Sequence, residues 1–133
     1  MVNVNLTHAK PPLTFQFPQR RVLVVEDDVL IGLDVKSALD ATGCQVLGPI
    51  ATVNAAVQTV GTNRLDAAVL DINLGTELSF PNADALTSFK VPFLFLTACD
   101  RATLPPAYRD KPLIAKPFYP EALVRMLARL FGM

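Results

Sequence analysis

The chain has little of several residue types, and each shortage excludes a class of protein. Two cysteines and one histidine are too few for a cysteine–histidine metal cluster or a disulfide framework. Twelve basic residues balance twelve acidic ones, which argues against a nucleic-acid partner or a polybasic membrane patch. No apolar run approaches the length of a membrane span, and the N-terminus lacks a signal-peptide pattern. These shortages predict a cytoplasmic protein with reduced thiols and no membrane contact.

Apolar residues are abundant, and their share predicts one globular domain. The 133 residues are 51% hydrophobic and 18% charged, enough for a proper core. Residues 1–19 hold three prolines and show no regular period. We interpret them as an N-terminal extension, free to be flexible unless Phe15 and Phe17 hold it against the surface. The domain itself is predicted to cover residues 20–133.

Apolar strand patterns alternate with helical patterns along this domain. The predicted strands cover 22–25, 44–50, 66–72, 91–97 and 112–116, and the predicted helices cover 28–42, 52–62, 81–89 and 120–131. This alternation predicts an α/β fold: a flavodoxin-like, doubly wound, five-stranded parallel sheet of order 2-1-3-4-5 with flanking helices. Pro105 and Pro106 predict that the helix between the fourth and fifth strands is short or irregular.

Acidic residues follow two of the predicted strands. Asp28 is explained as the cap of the next helix, but capping needs one acid, and Glu26 and Asp27 stand beside it. Asp71 ends the third strand, and the fourth and fifth strands end on Thr97 and Lys116. Because the carboxyl ends of parallel strands meet at one edge, three carboxylates, a hydroxyl and an ammonium should converge there. Such a set favours Mg²⁺ and an incoming phosphoryl group.

A flavin or nucleotide site is the first rival, because such binders use the same sheet order. It would need a loop rich in glycine, serine or threonine after the first strand to hold a phosphate. The loop here reads EDDV, and its charges repel a phosphate that has no metal beside it. We therefore discount this reading.

Four short stretches, in order, resemble the signature stretches of the receiver domains of two-component response regulators. They are VLVVEDD, AVLDINL, FLFLT and IAKPF, and the resemblance covers residues 20–131. Residues 91–118 are similar to the pattern of the alphaproteobacterial FAT GUY-motif stand-alone receivers, although Leu96 and Ala98-Cys99-Asp100 depart from it. That group is associated with HWE-type kinases and general stress signalling.

The resemblance implies a role for each residue at the sheet edge. Asp71 would be the phosphoryl acceptor. Asp27 would bind Mg²⁺ directly, Glu26 through a water molecule, and Asn73 through its main-chain carbonyl. Lys116 would pair with Asp71 and later with a phosphoryl oxygen, and Thr97 would bind another phosphoryl oxygen. Ala98 would keep the approach open, and a cis Lys116–Pro117 bond would aim the lysine inward.

One position departs from the wider receiver pattern. Leu113 stands where an aromatic residue usually swings inward together with the threonine on phosphorylation. We therefore do not expect the usual switch, and we expect that residues 98–111 change from mobile to ordered instead.

The implied function is that of a single-domain response regulator, which receives a phosphoryl group on Asp71 from a histidine kinase or phosphotransfer protein. It would signal through protein contacts to an unknown downstream protein, or by phosphorelay, and would not be an enzyme beyond its own phosphorylation and dephosphorylation. The phosphodonor would be its one small molecule. Exposed Leu30 and Leu33 would contact the kinase. Two alternatives stay open: a receiver-like interaction module that needs no phosphorylation, and the receiver portion of a hybrid histidine kinase.

Overall fold

Strands and helices alternate throughout the computed structural model, which describes residues 15–133. The sheet strands are Arg21–Val25 (β1), Gln45–Ile50 (β2), Ala67–Leu70 (β3), Phe93–Thr97 (β4) and Leu113–Ala115 (β5). The helices are Val29–Asp40 (α1), Val53–Thr62 (α2), Phe80–Ser88 (α3) and Pro120–Leu130 (α4). Each predicted strand and helix is present, with its ends moved by only a residue or two. No helix among these residues is long and apolar enough to cross a membrane.

All five sheet strands are parallel and lie in the order β2-β1-β3-β4-β5, which confirms the predicted fold class. Val25 at the end of β1 pairs with Leu70 at the end of β3, and Thr97 at the end of β4 pairs with Ala115 in β5. The register therefore brings the carboxyl ends of these four strands to a common edge.

Each face of the sheet packs against its own layer of helices. Val22 and Val24 point into a cluster with residues of α1 and α4, whereas Leu23 and Val25 point into a cluster with residues of α2 and α3. Because both faces are covered, alternate residues of β1 are equally buried. This explains the unbroken apolar runs of the sequence, which are typical of parallel strands buried on both sides.

The segment between β4 and β5 contains two short 3₁₀ turns, Arg101–Thr103 and Pro106–Tyr108, as the two prolines predicted. Arginine side chains hold this segment in place. The Arg101 guanidinium donates to the carbonyls of Arg109 and Lys111, at 2.6 and 2.7 Å. Arg109 in turn donates to the carbonyl of Leu104 at 2.7 Å. The segment is irregular in its backbone but cross-linked by hydrogen bonds.

A short antiparallel hairpin after β3 was not predicted. Asn73–Leu74 pairs with Glu77–Leu78 through a turn in which Gly75 has a φ of +66°. A glycine at the first of two turn residues is the recognisable signal, since this backbone conformation favours glycine. The hairpin follows β3 directly, so it begins at the edge of the sheet where the carboxyl ends of the strands meet.

The N-terminal part of the described chain belongs to the core. Phe17 is only 1% exposed, its ring meets that of Phe131 edge-on at 5.0 Å, and its backbone N–H donates to the carbonyl of Thr42. Phe15 packs against the same cluster. Residues 1–14 of the predicted flexible extension lie outside the described residues, so that part stays a prediction.

We expect Phe17→Ala to lower the free energy of unfolding by about 3–5 kcal/mol, because it leaves a cavity beneath α4. Urea unfolding followed by circular dichroism measures this change. Phe89→Ala, at a side chain that is 58% exposed, is the matched control and should change stability by less than about 1 kcal/mol. Equal effects of the two substitutions would show that residues 15–19 do not form part of the folded unit.

Candidate functional site

Backbone pairing continues one residue beyond the strands at the functional edge. The N–H of Asp71 donates to the carbonyl of Val25, and the N–H of Lys116 donates to the carbonyl of Thr97, both at 2.9 Å. The N–H of Glu26 donates to Ile50 at the same distance. The sheet itself therefore fixes the main chain of each predicted site residue at a strand end.

Three carboxylates meet at this edge. Oxygens of Glu26, Asp27 and Asp71 lie within 4.8 Å of one another. Glu26 and Asp71 are buried, at 4% and 7% exposure, whereas Asp27 is exposed and open to an incoming ion. Hard carboxylate oxygens at this spacing form a donor set suited to Mg²⁺, which keeps some of its waters. The sequence prediction that these acids converge agrees with the geometry.

Lys116 lies between the two buried carboxylates. Its Nζ is 2.8 Å from Oε1 of Glu26 and 3.0 Å from Oδ2 of Asp71. Burial by itself would lower the pKa of Lys116, but the two carboxylates outweigh it and raise the pKa above the usual lysine value. The lysine is thus a fixed positive charge. Its pair with Asp71 was predicted, and its contact with Glu26 was not.

Glu26 has an unusual affinity for a proton. Burial, together with the hydrogen bond and charge of Asp71, raises its pKa to about 7, although Lys116 and the N–H of Asp28 pull in the opposite direction. In the metal-free site, the ionised form of Glu26 is therefore disfavoured relative to a free carboxylate at neutral pH. A divalent cation would remove this cost, because it supplies positive charge where one ammonium serves two carboxylates.

The remaining predicted residues surround this centre. Thr97 is fully buried, and its hydroxyl accepts a hydrogen bond from the N–H of Cys99 at 3.2 Å. Ala98 is exposed, which leaves space beside the threonine. Asn73 directs its N–H toward Oδ1 of Asp71 at 3.4 Å. The Lys116–Pro117 peptide bond is cis, as expected.

Two contacts at the site were missed by the sequence reasoning. The hydroxyl of Ser79 donates to the main-chain carbonyl of Asp71 at 2.6 Å, in a fully buried position. The side-chain amide of Asn73 lies 3.0 Å from the sulfur of Cys99, which joins the hairpin to the end of β4. A serine ahead of a helix indicates an ordinary cap, so the sequence carries no signal for the contact with Asp71.

An aromatic group lies beside the atypical switch position. Leu113 is partly buried against the core, next to Phe95 in the sheet. The ring of Tyr108 stacks on Phe80 at 4.5 Å between centroids and meets Phe95 edge-on at 6.4 Å. The hydroxyl of Tyr108 donates to Asp84 in α3 at 2.7 Å, and this bond raises the pKa of the tyrosine. Phe95 thus adjoins both Leu113 in β5 and the Tyr108 ring of the irregular segment.

Comparison with known proteins identifies the family. SdrG from Sphingomonas melonis Fr1, whose structure is also known in a BeF₃-activated conformation, is 34% identical, with a TM-score of 0.75, over 84% of this chain and 96% of SdrG. The receiver domain of the sensor histidine kinase PA1611 from Pseudomonas aeruginosa PAO1 shares the fold, with a TM-score of 0.72 at 24% identity over 86% of this chain and 99% of that domain. The chain belongs to the receiver domains of two-component response regulators. No protein-family model matches it.

The match to longer regulators covers only part of them. The phyllosphere-induced regulator PhyR of Methylorubrum extorquens AM1 is 35% identical over 104 residues, which are 74% of this chain and 39% of PhyR. The chain spans half or less of the length of the curated relatives that it matches. The receiver domain is therefore the part that these regulators share with it.

A substitution at Glu26 should show how much the ionised carboxylate of Glu26, close to Asp71, lowers the free energy of unfolding. Because the folded protein binds this proton more tightly than the unfolded chain does, the free energy of unfolding should fall as pH rises from about 5 to about 7. We expect Glu26→Gln to remove this slope and to stabilise the metal-free protein at pH 8 by about 1–3 kcal/mol.

Urea unfolding in a chelating buffer at pH 5 and pH 8 measures the effect. Asp34→Asn, at an exposed acid on α1, is the control and should keep the wild-type slope. If the slope persisted in Glu26→Gln, Glu26 would not be the group that titrates.

Proposed function

We propose that this receiver domain accepts a phosphoryl group on Asp71 from a phosphohistidine and needs Mg²⁺ to do so. The observation that carries the proposal is the convergence of Glu26, Asp27 and Asp71 around Lys116 at the open edge of the sheet. A surface acid with a purely structural role would not need two further carboxylates within 4.8 Å. The PA1611 receiver domain has a magnesium ion in its active-site cleft, which supports the same metal here.

The reaction is an in-line displacement at phosphorus. A carboxylate oxygen of Asp71 attacks, its bond to phosphorus forms as the bond from phosphorus to the histidine nitrogen breaks, and the imidazole takes up a proton. Bound Mg²⁺ would neutralise the negative charge that gathers between the acceptor and the phosphoryl oxygens. Asp27 and Asp71 would hold it, with Glu26 acting through a water molecule and Asn73 through its carbonyl.

The other residues position and stabilise the product. Lys116 already donates to Asp71, and its ammonium can donate to a phosphoryl oxygen bound there without any movement of the strand. The Thr97 hydroxyl, which now accepts from the N–H of Cys99, is free to turn and donate its proton to a second phosphoryl oxygen. Small, exposed Ala98 leaves the approach to Asp71 open. The acceptor is the protein's own side chain, so we do not class the domain as an enzyme acting on other molecules.

Intact mass after incubation with acetyl phosphate and Mg²⁺ tests this proposal. We expect the wild type to gain one phosphoryl group, because Asp71 is the acceptor, and the gain to disappear in Asp71→Asn and on chelation. Asp34→Asn should keep it. A wild type that gains nothing from either acetyl phosphate or a phosphorylated histidine kinase would instead be an interaction module that needs no phosphorylation.

The same measurement with two donors tests the kinase contact. Val29, Leu30 and Leu33 on α1 are 72%, 74% and 53% exposed, and such an apolar patch beside the acceptor favours protein contact. Leu30→Glu with Leu33→Glu should slow transfer from a kinase at least about tenfold and leave transfer from acetyl phosphate unchanged. Val57→Glu on α2 is the control, and equal slowing with both donors would contradict the assignment.

We further propose that residues 98–111 are the switching element. Thr97 precedes this segment directly, and Tyr108 anchors it on Phe80, next to Ser79, which bonds to the acceptor's carbonyl. Movement of Thr97 toward a phosphoryl group would therefore displace the start of the segment. The stack of Tyr108 on Phe80, next to Ser79, would link the end of the segment to Asp71.

Amide hydrogen exchange with and without beryllofluoride tests the switch. We expect slower exchange in 98–111 on activation, and a reduced difference in Tyr108→Leu, which loses the stack on Phe80. Tyr119→Leu, at a ring that is 76% exposed, should behave like the wild type. Identical exchange in both states of the wild type would defeat the hypothesis.

A histidine kinase or phosphotransfer protein would be the donor, in the cytoplasm, and a protein contact or phosphorelay would be the output. The relatives SdrG and PhyR support an association with regulatory signalling.

A further inference from the structure

A groove lies at the edge of the sheet opposite to the acids. It has a volume of about 350 Å³ and is formed where α3 ends, where β4 and β5 begin, and where α4 ends. The lining residues are Thr87, Lys90, Val91, Pro92, Phe93, Lys111, Pro112 and Leu130. Most of them are apolar, two are lysines, and none of the described residues that line it is an acid. The receiver chemistry at the other edge uses none of these residues.

Lys90 occupies a backbone position that normally favours glycine. Its φ is +60°, and it follows α3 in a Schellman ending: the N–H of Val91 donates to the carbonyl of Leu86, and the N–H of Lys90 donates to Thr87. A side chain in this left-handed conformation is strained, and such residues cluster at sites that bind ligands. The fold alone would be served better by glycine, so the lysine side chain is the feature that needs an explanation.

Lys111 supplies the second positive charge. Its ammonium lies 5.8 Å from the centroid of the Phe93 ring, which forms part of the groove floor. The contact holds the cation over an apolar surface rather than leaving it free in solvent. Asp110 is adjacent in sequence but does not line the groove. The two lysines therefore face the groove without a carboxylate partner among its lining residues.

The charge of this part of the chain is unbalanced, although the whole chain is neutral. Residues 89–133 hold seven basic and three acidic side chains, whereas residues 20–88 hold four basic and nine acidic ones. Lys116 is one of the seven but lies at the opposite edge beside Glu26 and Asp71. The charges that favour a negatively charged partner at the groove are therefore those of Lys90 and Lys111. The apolar floor favours a peptide over a nucleic acid as the partner. A phosphate backbone would leave the floor uncovered, whereas a peptide with apolar side chains would bury it.

We propose that this groove binds an acidic peptide segment of a partner protein, with apolar side chains on the floor and carboxylates at Lys90 and Lys111. The site is separate from the phosphoacceptor edge, so it offers contact with a second protein while a kinase occupies the first. It does not require that Asp71 be phosphorylated.

The probe is a pool of synthetic twelve-residue peptides that contain Glu, Asp, Leu and Phe in varied order. The comparison pool has the same sequences with Gln in place of Glu and Asn in place of Asp. Nuclear magnetic resonance titration of the full chain is the readout. We expect the acidic pool to shift the amide signals of 87–93, 111–112 and 130, and the amide pool to bind at least about fivefold more weakly, which is the loss of one partly exposed ion pair.

Lys90→Gly gives the sharpest variant, because stability and binding should move in opposite directions. Relief of the strained backbone should raise Tm by about 2–5 °C, while the lost ammonium should weaken the acidic pool about fivefold. Gln19→Gly is the matched control: Gln19 is an exposed residue with a φ of +70° in the turn before β1, and it does not line the groove. It should raise Tm in the same way and leave peptide binding unchanged. Lys111→Gln should weaken binding without the gain in Tm.

Several results would overturn the proposal. One is an acidic pool that produces no shifts at millimolar concentration or shifts signals elsewhere. Another is equal binding of the acidic and amide pools, or wild-type binding by Lys90→Gly. Stronger binding of duplex DNA or of single-stranded RNA than of the acidic pool at the same residues would assign the groove to nucleic acid instead.

Discussion

The repulsion between carboxylates at the ends of β1 and β3 is the constraint on which the functional edge depends. Glu26 and Asp71 are both buried, and a single ammonium lies between them. That ammonium comes from Lys116 after β5, with β4 lying between β5 and the acids' own strands. The ion pairs therefore link the centre of the sheet to its outermost strand on this side. The site holds three carboxylates and one ammonium, so it is short of positive charge, which favours the binding of a cation.

Most of the fold could be predicted because local pattern and global architecture agree. The apolar runs of β1, β3 and β4 could only be strands covered on both sides, and the alternation with helices left few possible topologies. The convergence of Asp27, Asp71 and Lys116 followed from the sheet order alone. Pro105 and Pro106 likewise predicted an irregular segment, since proline removes the backbone donors of a helix.

What could not be predicted depends on contacts between side chains distant in sequence. Phe17 seemed to lie in an extension because no periodic pattern surrounds it, yet its ring completes the core beneath Phe131. The proline-rich segment was predicted to be loose, but nothing in its composition indicated that the Arg101 guanidinium would bond two of its carbonyls. Likewise, the sequence identified Leu113 as a missing aromatic ring without indicating that Tyr108 stacks nearby. In each case the deciding partner was set by packing in three dimensions, between residues distant in sequence.

The bond from Ser79 to Asp71 has a mechanical consequence. Serine at the start of a helix usually turns its hydroxyl to the helix's own N–H groups, but Ser79 makes no such bond, because its hydroxyl is engaged by the Asp71 carbonyl. The first turn of α3 is thereby held by a hydrogen bond to the peptide unit of Asp71. We expect a displacement of that peptide to move the start of α3, and the helix to carry the movement to its other end, where Lys90 lies.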